Sequence, residues 1–112
     1  LRIVCGHGCY PFVREATVVA ARRENVWMSP DFYLFYLGTD DWVKAVNNDF
    51  FGFRDKFLFG SGYPIVPLKG FVEQFMALPW VPEALPKILY RNAIKAFGLE
   101  NDPVFTAMYP PA

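Results

Sequence analysis

The sequence predicts a parallel α/β fold, because short apolar strands alternate along the chain with helical segments. The clearest strand is the run KFLFGS at 56–61, which closes in Gly60-Ser61-Gly62 and is followed by a helical pattern. Two shorter apolar segments, 1–7 and 25–28, precede it, each with a helical segment further along. Continuous apolar runs are typical of buried strands in parallel sheets, and this alternation implies right-handed crossovers.

The first two predicted helices follow from start signals and apolar spacing. One begins at Pro11 and runs to about Arg23, with an inward stripe of Phe12, Ala16, Val19 and Ala20. Between the helices, the aromatic segment 31–38 has no clean period and is compatible with a loop, a short helix lining a cavity or a strand. The second helix is capped by Thr39 or Asp40 and ends near Phe50, with an apolar face of Trp42, Val43, Val46 and Phe50.

Two more helices are predicted after the third strand. The first carries apolar residues at i, i+3, i+4 and i+7, namely Leu68, Phe71, Val72 and Phe75, and Pro79 ends it. The last opens at Pro82 or Pro86 and stops at Gly98, with Leu85, Ile88, Leu89, Ala93 and Phe97 facing inward. The tail 101–112 contains three prolines and is predicted to be an irregular arm.

Composition limits the classes of partner. The formal net charge of 0 argues against nucleic acid or an anionic membrane as a partner, and no apolar run approaches the roughly 20 residues of a membrane span.

Hydrophobic residues make up 54% of the 112 residues, which is a high fraction for a small domain, so we expect part of the apolar surface to be covered by something outside the chain. The chain starts directly in a strand without an initiator Met, so a segment of a longer protein is expected. The two cysteines are too few for a disulfide framework and predict a reducing cytoplasm.

Three motifs resemble the amidohydrolase-related family, which includes metal-dependent hydrolases and nonoxidative decarboxylases. The segment FGSGYP at 59–64 resembles the family signature FGSDYP, and His7 in IVCGHGCYPF resembles the histidine of its HGG-x-x-PF segment. Asn92-Ala93 and Phe97-Gly98-Leu99 are similar to its closing helix, N-A-x-x-x-F-G-L. The resemblance implies that residues 1–100 are the C-terminal part of a (β/α)₈ TIM barrel, with the sixth, seventh and eighth strands and their helices.

The resemblance also implies a site at the carboxyl ends of these strands, with His7 as a catalytic residue and metal ligand. The family's divalent metal, zinc or manganese, is expected to use an acid at the position where this sequence has Gly62. Glycine offers neither a ligand nor a proton-transfer group, so the metal site is expected to be altered or lost. In a chain that also supplies the family's other histidines, Gly62→Asp is expected to raise metal affinity and any hydrolytic rate. The family's other histidines lie outside this chain.

The residues themselves leave several roles open. A histidine at a strand end can bind a metal, polarise a substrate or simply be a buried structural side chain. Ser61 is a second catalytic candidate because its hydroxyl could orient a water, whereas Tyr63 and Phe32 could line a substrate pocket or pack in the core. Cys5 and Cys9 lack the spacing of a zinc site and are predicted to be core cysteines, while Asp31, Asp40 and Asp41 are predicted to cap turns or helices.

The predicted function is therefore that of a hydrolase-like segment acting on a small organic acid, amide or lactone, by hydrolysis or decarboxylation. Its partners would be a small-molecule substrate and either the remainder of the barrel or another copy of the chain, and the isolated segment is expected to be inactive. A non-catalytic α/β binding or assembly module is the alternative. A free-standing flavodoxin-like domain is a third hypothesis, although no phosphate-binding glycine loop supports it.

Overall fold

The computed structural model describes residues 1–111 and contains two strands and five α-helices. The predicted order is strand, helix, strand, helix, strand, helix and helix, and the structure differs from it in the third strand and in an additional helix in the tail. The elements are β1 (Ile3–Gly6), α1 (Val13–Arg22), β2 (Val26–Ser29), α2 (Thr39–Asn47), α3 (Leu68–Met76), α4 (Asn92–Ala96) and α5 (Pro103–Met108). Tight 3₁₀ turns cover His7–Cys9, Asp31–Phe35, Phe50–Asp55 and Pro82–Ala84, and a π-helical turn, Lys87–Arg91, leads into α4. None of the helices described is long and apolar enough to cross a membrane.

The two strands form a parallel pair, as predicted, with a register from Ile3 opposite Val26 to Gly6 opposite Ser29. The predicted third strand at 56–61 is much shorter in the structure. It pairs with β2 only at a parallel bridge between Met28 and Phe57, where the Met28 amide donates to the carbonyl of residue 56 and the residue 58 amide donates to the Met28 carbonyl.

The third strand is short because the backbone amide that follows the bridge does not bond to β2. The Phe59 N–H donates to the carbonyl of Ile88 in the π-helical turn, 2.9 Å away, so the chain leaves β2 after Leu58. Gly60 then lies against β2, where a Cβ would come within 2.9 Å of the Ser29 Oγ. We refer to residues 56–59 as the third segment.

The core consists of aromatic and aliphatic side chains from the strands, the helices and the turns between them. The largest fully buried ones are Trp42, Phe53, Phe57, Phe75, Met28, Leu34, Ile88 and Val46. Phe71 and Phe75 of α3 are buried as the apolar spacing predicted, whereas Leu68 and Val72 are exposed. The helix is therefore buried along a narrower stripe than the pattern indicated.

Three other predicted inward faces also require correction. Helix α1 begins at Val13 rather than Pro11, and it buries Val13, Ala16, Thr17 and Ala20, so that Phe12 is 65% exposed and Val19 also faces outward. Phe50 lies beyond the end of α2 and Phe97 beyond the end of α4, and both are exposed. The small side chains of Ala16 and Ala20 allow α1 to approach its neighbours closely, which larger apolar residues would prevent.

The N-terminus of α2 and the tail also differ from the predictions. Neither Thr39 nor Asp40 caps α2 with its side chain, and the cap position is Gly38 with φ of 92°. The tail predicted as irregular contains α5, because the Asp102 carboxylate accepts hydrogen bonds from the amides of Val104 and Phe105, and proline occupies the first helical position. Ala112, also part of that predicted arm, lies outside the described residues. Gly98 has φ of 69° and ends α4 as predicted.

A buried amide connects α4 to the third segment. The Asn92 side chain is buried, and its Nδ2 donates to the carbonyl oxygens of Arg54, at 2.7 Å, and Phe57, at 2.8 Å. These carbonyls lie on either side of the turn into the third segment. The asparagine of the closing helix thus stabilises the strand that it packs against.

We expect Asn92→Ala to lower the free energy of unfolding by about 1–3 kcal/mol, because it leaves buried carbonyl oxygens without a donor. The control is Asn101→Ala, which removes an exposed asparagine and should change stability by less than about 0.5 kcal/mol. Chemical denaturation followed by circular dichroism measures both, in a polypeptide that contains this chain and the rest of its barrel. Equal stabilities of the two variants would contradict the role assigned to Asn92.

Candidate functional site

The carboxyl ends of β1, β2 and the third segment meet at one edge of the sheet. His7 directly follows β1, Asp31 lies two residues beyond β2, and Gly62 follows the third segment. The parallel register brings the first two together, and Phe32 lies against the position of Gly62. His7 and Gly62 therefore lie on the same side of the sheet, as predicted.

His7 begins a turn with left-handed backbone geometry. The φ angles of His7, Gly8 and Cys9 are 53°, 61° and 56°, and such values are uncommon for residues with a Cβ. Gly8 is buried against Trp42, and a Cβ at this position would come within 2.9 Å of the Trp42 Cη2 atom. The close packing of Gly8 holds the turn in place, and the His7 side chain remains 55% exposed.

The principal polar contact of the site joins His7 to Asp31. The His7 Nδ1 lies 2.8 Å from the Asp31 Oδ2, and the His7 backbone amide donates to the same oxygen at 3.3 Å. The Tyr33 amide donates to the other carboxylate oxygen at 3.2 Å. Asp31 thus stabilises its local turn, as predicted, but its contact with His7 was missed. The available signal was the position of Asp31 just beyond β2, at the same edge as His7.

Aromatic rings enclose one face of the histidine. The Tyr33 ring stacks on His7 with centroids 4.2 Å apart, and the Phe32 ring meets it edge-on at 6.0 Å. Tyr36 packs against both Phe32 and Tyr33. The contacts with Tyr33 and Phe32 restrict the orientation of the imidazole.

The predicted residues of the third-segment turn have different positions. The Ser61 Oγ accepts a hydrogen bond from the Tyr63 amide at 3.1 Å, a local turn contact that provides no base for the hydroxyl. Tyr63 is exposed at the edge. Gly62 has φ of 72°, and a Cβ there would come within 2.8 Å of the Phe32 Cε1 atom. The ring of Phe32 therefore takes the space into which a side chain at position 62 would extend.

A groove of about 300 Å³ lies beside this edge. The groove is mainly apolar, and Gln74 contributes an amide side chain to it. Its lining residues are Phe32, Phe35, Tyr36, Val66, Pro67, Gly70, Phe71 and Gln74. Phe32 lines the groove and also contacts the His7 ring.

The two cysteines differ in environment. Cys5 is half-buried and packs against the core, as predicted, whereas Cys9 is exposed, and the prediction of a core cysteine there is wrong. Burial, followed by the hydrogen bond and charge of Cys9, raises the pKa of the Cys5 thiol to about 11, so Cys5 stays protonated near neutral pH. A protonated thiol is a poor metal ligand.

Metal-ligating side chains are not clustered in the part of the chain that the structure describes. Among residues 1–111, no group of three or more histidine, cysteine, aspartate or glutamate side chains is placed to hold an ion. His7 and Asp31 come together at the carboxyl edge without a third such ligand. The two other aspartates predicted to cap also have no ligand role: Asp41 pairs with Arg14 at 3.0 Å, and Asp40 lies in the first turn of α2.

Comparison with known proteins supports the expected family. A family model described as amidohydrolase matches residues 1–99. No match was found among curated proteins. The crystal structure of an uncharacterized TIM-barrel protein, Bb4693 from Bordetella bronchiseptica, is similar to 88% of this chain, with a TM-score of 0.79 and 42% sequence identity.

The similarity covers 34% of the Bordetella protein, so this chain spans about a third of its length. The parallel strands with their flanking helices correspond to part of that barrel. Since the family model covers nearly the entire sequence, the chain belongs to the amidohydrolase family and forms part of an α/β TIM barrel.

Proposed function

We propose that this chain contributes His7 to the active site of a hydrolase-like barrel that acts on a small organic acid, amide or lactone in the cytoplasm. The observation that carries the proposal is the exposed imidazole at the carboxyl edge of the parallel strands, held by Asp31 and Tyr33. Active sites of TIM-barrel enzymes lie at this edge. An imidazole there can transfer a proton during hydrolysis of a C–N or C–O bond, or during decarboxylation.

The groove beside His7 supports a small substrate with an apolar portion. Phe32 contributes to both the groove and the surroundings of the histidine, and Tyr63 is exposed nearby, so these two residues are the proposed substrate contacts. Ser61 is a weaker catalytic candidate, because its hydroxyl oxygen contacts a backbone amide and no activating base. Proton transfer is therefore assigned to His7.

The metal typical of amidohydrolases does not fit the residues of this chain. Catalytic zinc uses three protein ligands, whereas the described part of the carboxyl edge offers the single imidazole of His7 and its partner Asp31. Position 62, where the resemblance implies an acid, has no side chain, and the Phe32 ring lies over it. Zinc or manganese would thus need ligands from outside this chain, and no step is assigned to a metal here.

A binding or assembly role is the second candidate, and exposed apolar side chains favour it. Phe12, Tyr63 and Ile65 are all largely exposed, with Ile65 at 74%, and the outer edge of β1 has no neighbouring strand among residues 1–111. Such surfaces commonly mark interaction sites, and unpaired strand edges favour association. We propose the remainder of the barrel as their partner, and the 34% coverage of the Bordetella protein supports this choice.

The enzymatic proposal predicts that His7→Ala, in a polypeptide containing this chain and the rest of its barrel, lowers kcat/KM by roughly 10²–10⁴-fold, the usual contribution of a proton-transfer group. Turnover is measured on a panel of small esters, lactones, amides and aromatic carboxylic acids. Asn25→Ala, at the opposite edge of the sheet, should leave turnover unchanged. Absence of turnover with the unaltered protein, or equal rates for the His7 variant, would favour the binding module.

If the remainder of the barrel is the partner, we expect the 112-residue chain alone not to be a stable monomer, because its strand edges and apolar side chains remain uncovered. Sedimentation velocity over a range of concentrations should show self-association or a poorly folded species. A barrel polypeptide that includes the chain should instead sediment as one folded species. A monomer with cooperative unfolding, independent of concentration, would contradict this prediction.

The geometry at position 62 also changes the outcome expected from Gly62→Asp. We predict that this substitution destabilises the chain by about 1–3 kcal/mol through overpacking against Phe32, without a gain of stoichiometric zinc or manganese. Gly52→Asp is the matched control, because Gly52 also has positive φ, 81°, but has open space around it. Thermal denaturation and elemental analysis measure the two effects, in a polypeptide that contains this chain and the rest of its barrel. Equal stability of the two variants, or more bound metal after Gly62→Asp than in the unaltered protein, would contradict the prediction.

A further inference from the structure

We propose that Asp31 is the positioning residue of His7: it holds the imidazole in the tautomer protonated at Nδ1 and leaves Nε2 as the proton acceptor. The contact depends on two residues 24 positions apart, one after each parallel strand. The catalytic use of this arrangement rests on the proposed function, whereas the tautomer itself does not.

The contact with Asp31 determines which ring nitrogen of His7 carries the proton. An ionised carboxylate can only accept hydrogen bonds, so the His7 Nδ1 at 2.8 Å from the Asp31 Oδ2 must be the donor. A neutral imidazole with a proton on Nδ1 has its free lone pair on Nε2. Among residues 1–111, no side chain or backbone group forms a hydrogen bond with Nε2.

The Asp31 carboxylate is itself held in place. The backbone amides of His7 and Tyr33 donate to its two oxygens, and the Asp31 side chain is only 18% exposed. Asp31 also has a left-handed backbone, with φ of 50°, a conformation that must be stabilised by its surroundings. Stacking on Tyr33 then limits rotation of the imidazole, so both ends of the hydrogen bond are fixed.

This arrangement suits a proton acceptor. When a water gives its proton to Nε2, the O–H bond breaks, an N–H bond forms, and hydroxide remains beside a positively charged ring. The Asp31 carboxylate faces that charge and stabilises it without taking the proton, because the proton on Nδ1 stays on the ring. Asp31 thereby provides the carboxylate at this edge that Gly62 lacks.

The test is ring-¹⁵N nuclear magnetic resonance of a histidine-labelled polypeptide that contains this chain and the rest of its barrel, with the His7 signals assigned by their loss in His7→Ala. The spectra are recorded at about pH 9, well above the reference pKa of about 6.5 of a model imidazole. We expect the Nδ1–H form to predominate in the unaltered chain and to become the minor form in Asp31→Ala, because free imidazole side chains favour Nε2–H. The control is Asp55→Ala, which removes an exposed carboxylate that pairs with Lys87 and should leave the His7 signals unchanged.

A predominant Nε2–H form in the unaltered chain would overturn the proposal, and this result does not depend on the folding of Asp31→Ala. Retention of the Nδ1–H form in a folded Asp31→Ala chain would overturn it as well. The measurement uses no substrate. A correct tautomer in a barrel without turnover would therefore refute the proposed function while supporting the role of Asp31 in orienting the ring.

Discussion

The hydrogen bonds of Met28 are the constraint on which the rest of the structure depends. Met28 is fully buried, lies opposite Cys5 of β1, and exchanges backbone hydrogen bonds with the third segment on its other side. Strand β2 is therefore the central strand, and its register determines which residues meet where the strands end. Because all three are parallel, their carboxyl ends share one edge, and His7 can meet Asp31 only there.

Close packing then converts this edge into a defined site. Gly8 contacts Trp42 without space for a Cβ, which fixes the left-handed turn that carries His7. Phe32 packs in the same way over Gly62 and also meets the histidine ring. Both glycines therefore act through the absence of a side chain, because an aromatic ring occupies the space that a Cβ would take.

The site differs chemically from the one that the family motif implies. In the motif an acid follows the third of these strands, whereas here the carboxylate near His7 comes from Asp31, after the second strand. Our proposals assign to His7 the transfer of a proton and to Asp31 the orientation of the ring. The single imidazole and the space occupied by Phe32 make this part of the barrel a poor metal site, so any metal would depend on ligands elsewhere.

Local sequence patterns were sufficient for the order from β1 to α2, for the helix α3, for the end of α4 at Gly98 and for the position of His7 at the carboxyl edge, because these depend on neighbouring residues and on strand polarity. They did not predict the hydrogen bond between His7 and Asp31, the ring of Phe32 over Gly62 or the shortening of the third strand by the carbonyl of Ile88. Each of those features joins residues 24 to 30 positions apart. Such contacts depend on strand register and packing, which only the tertiary structure determines.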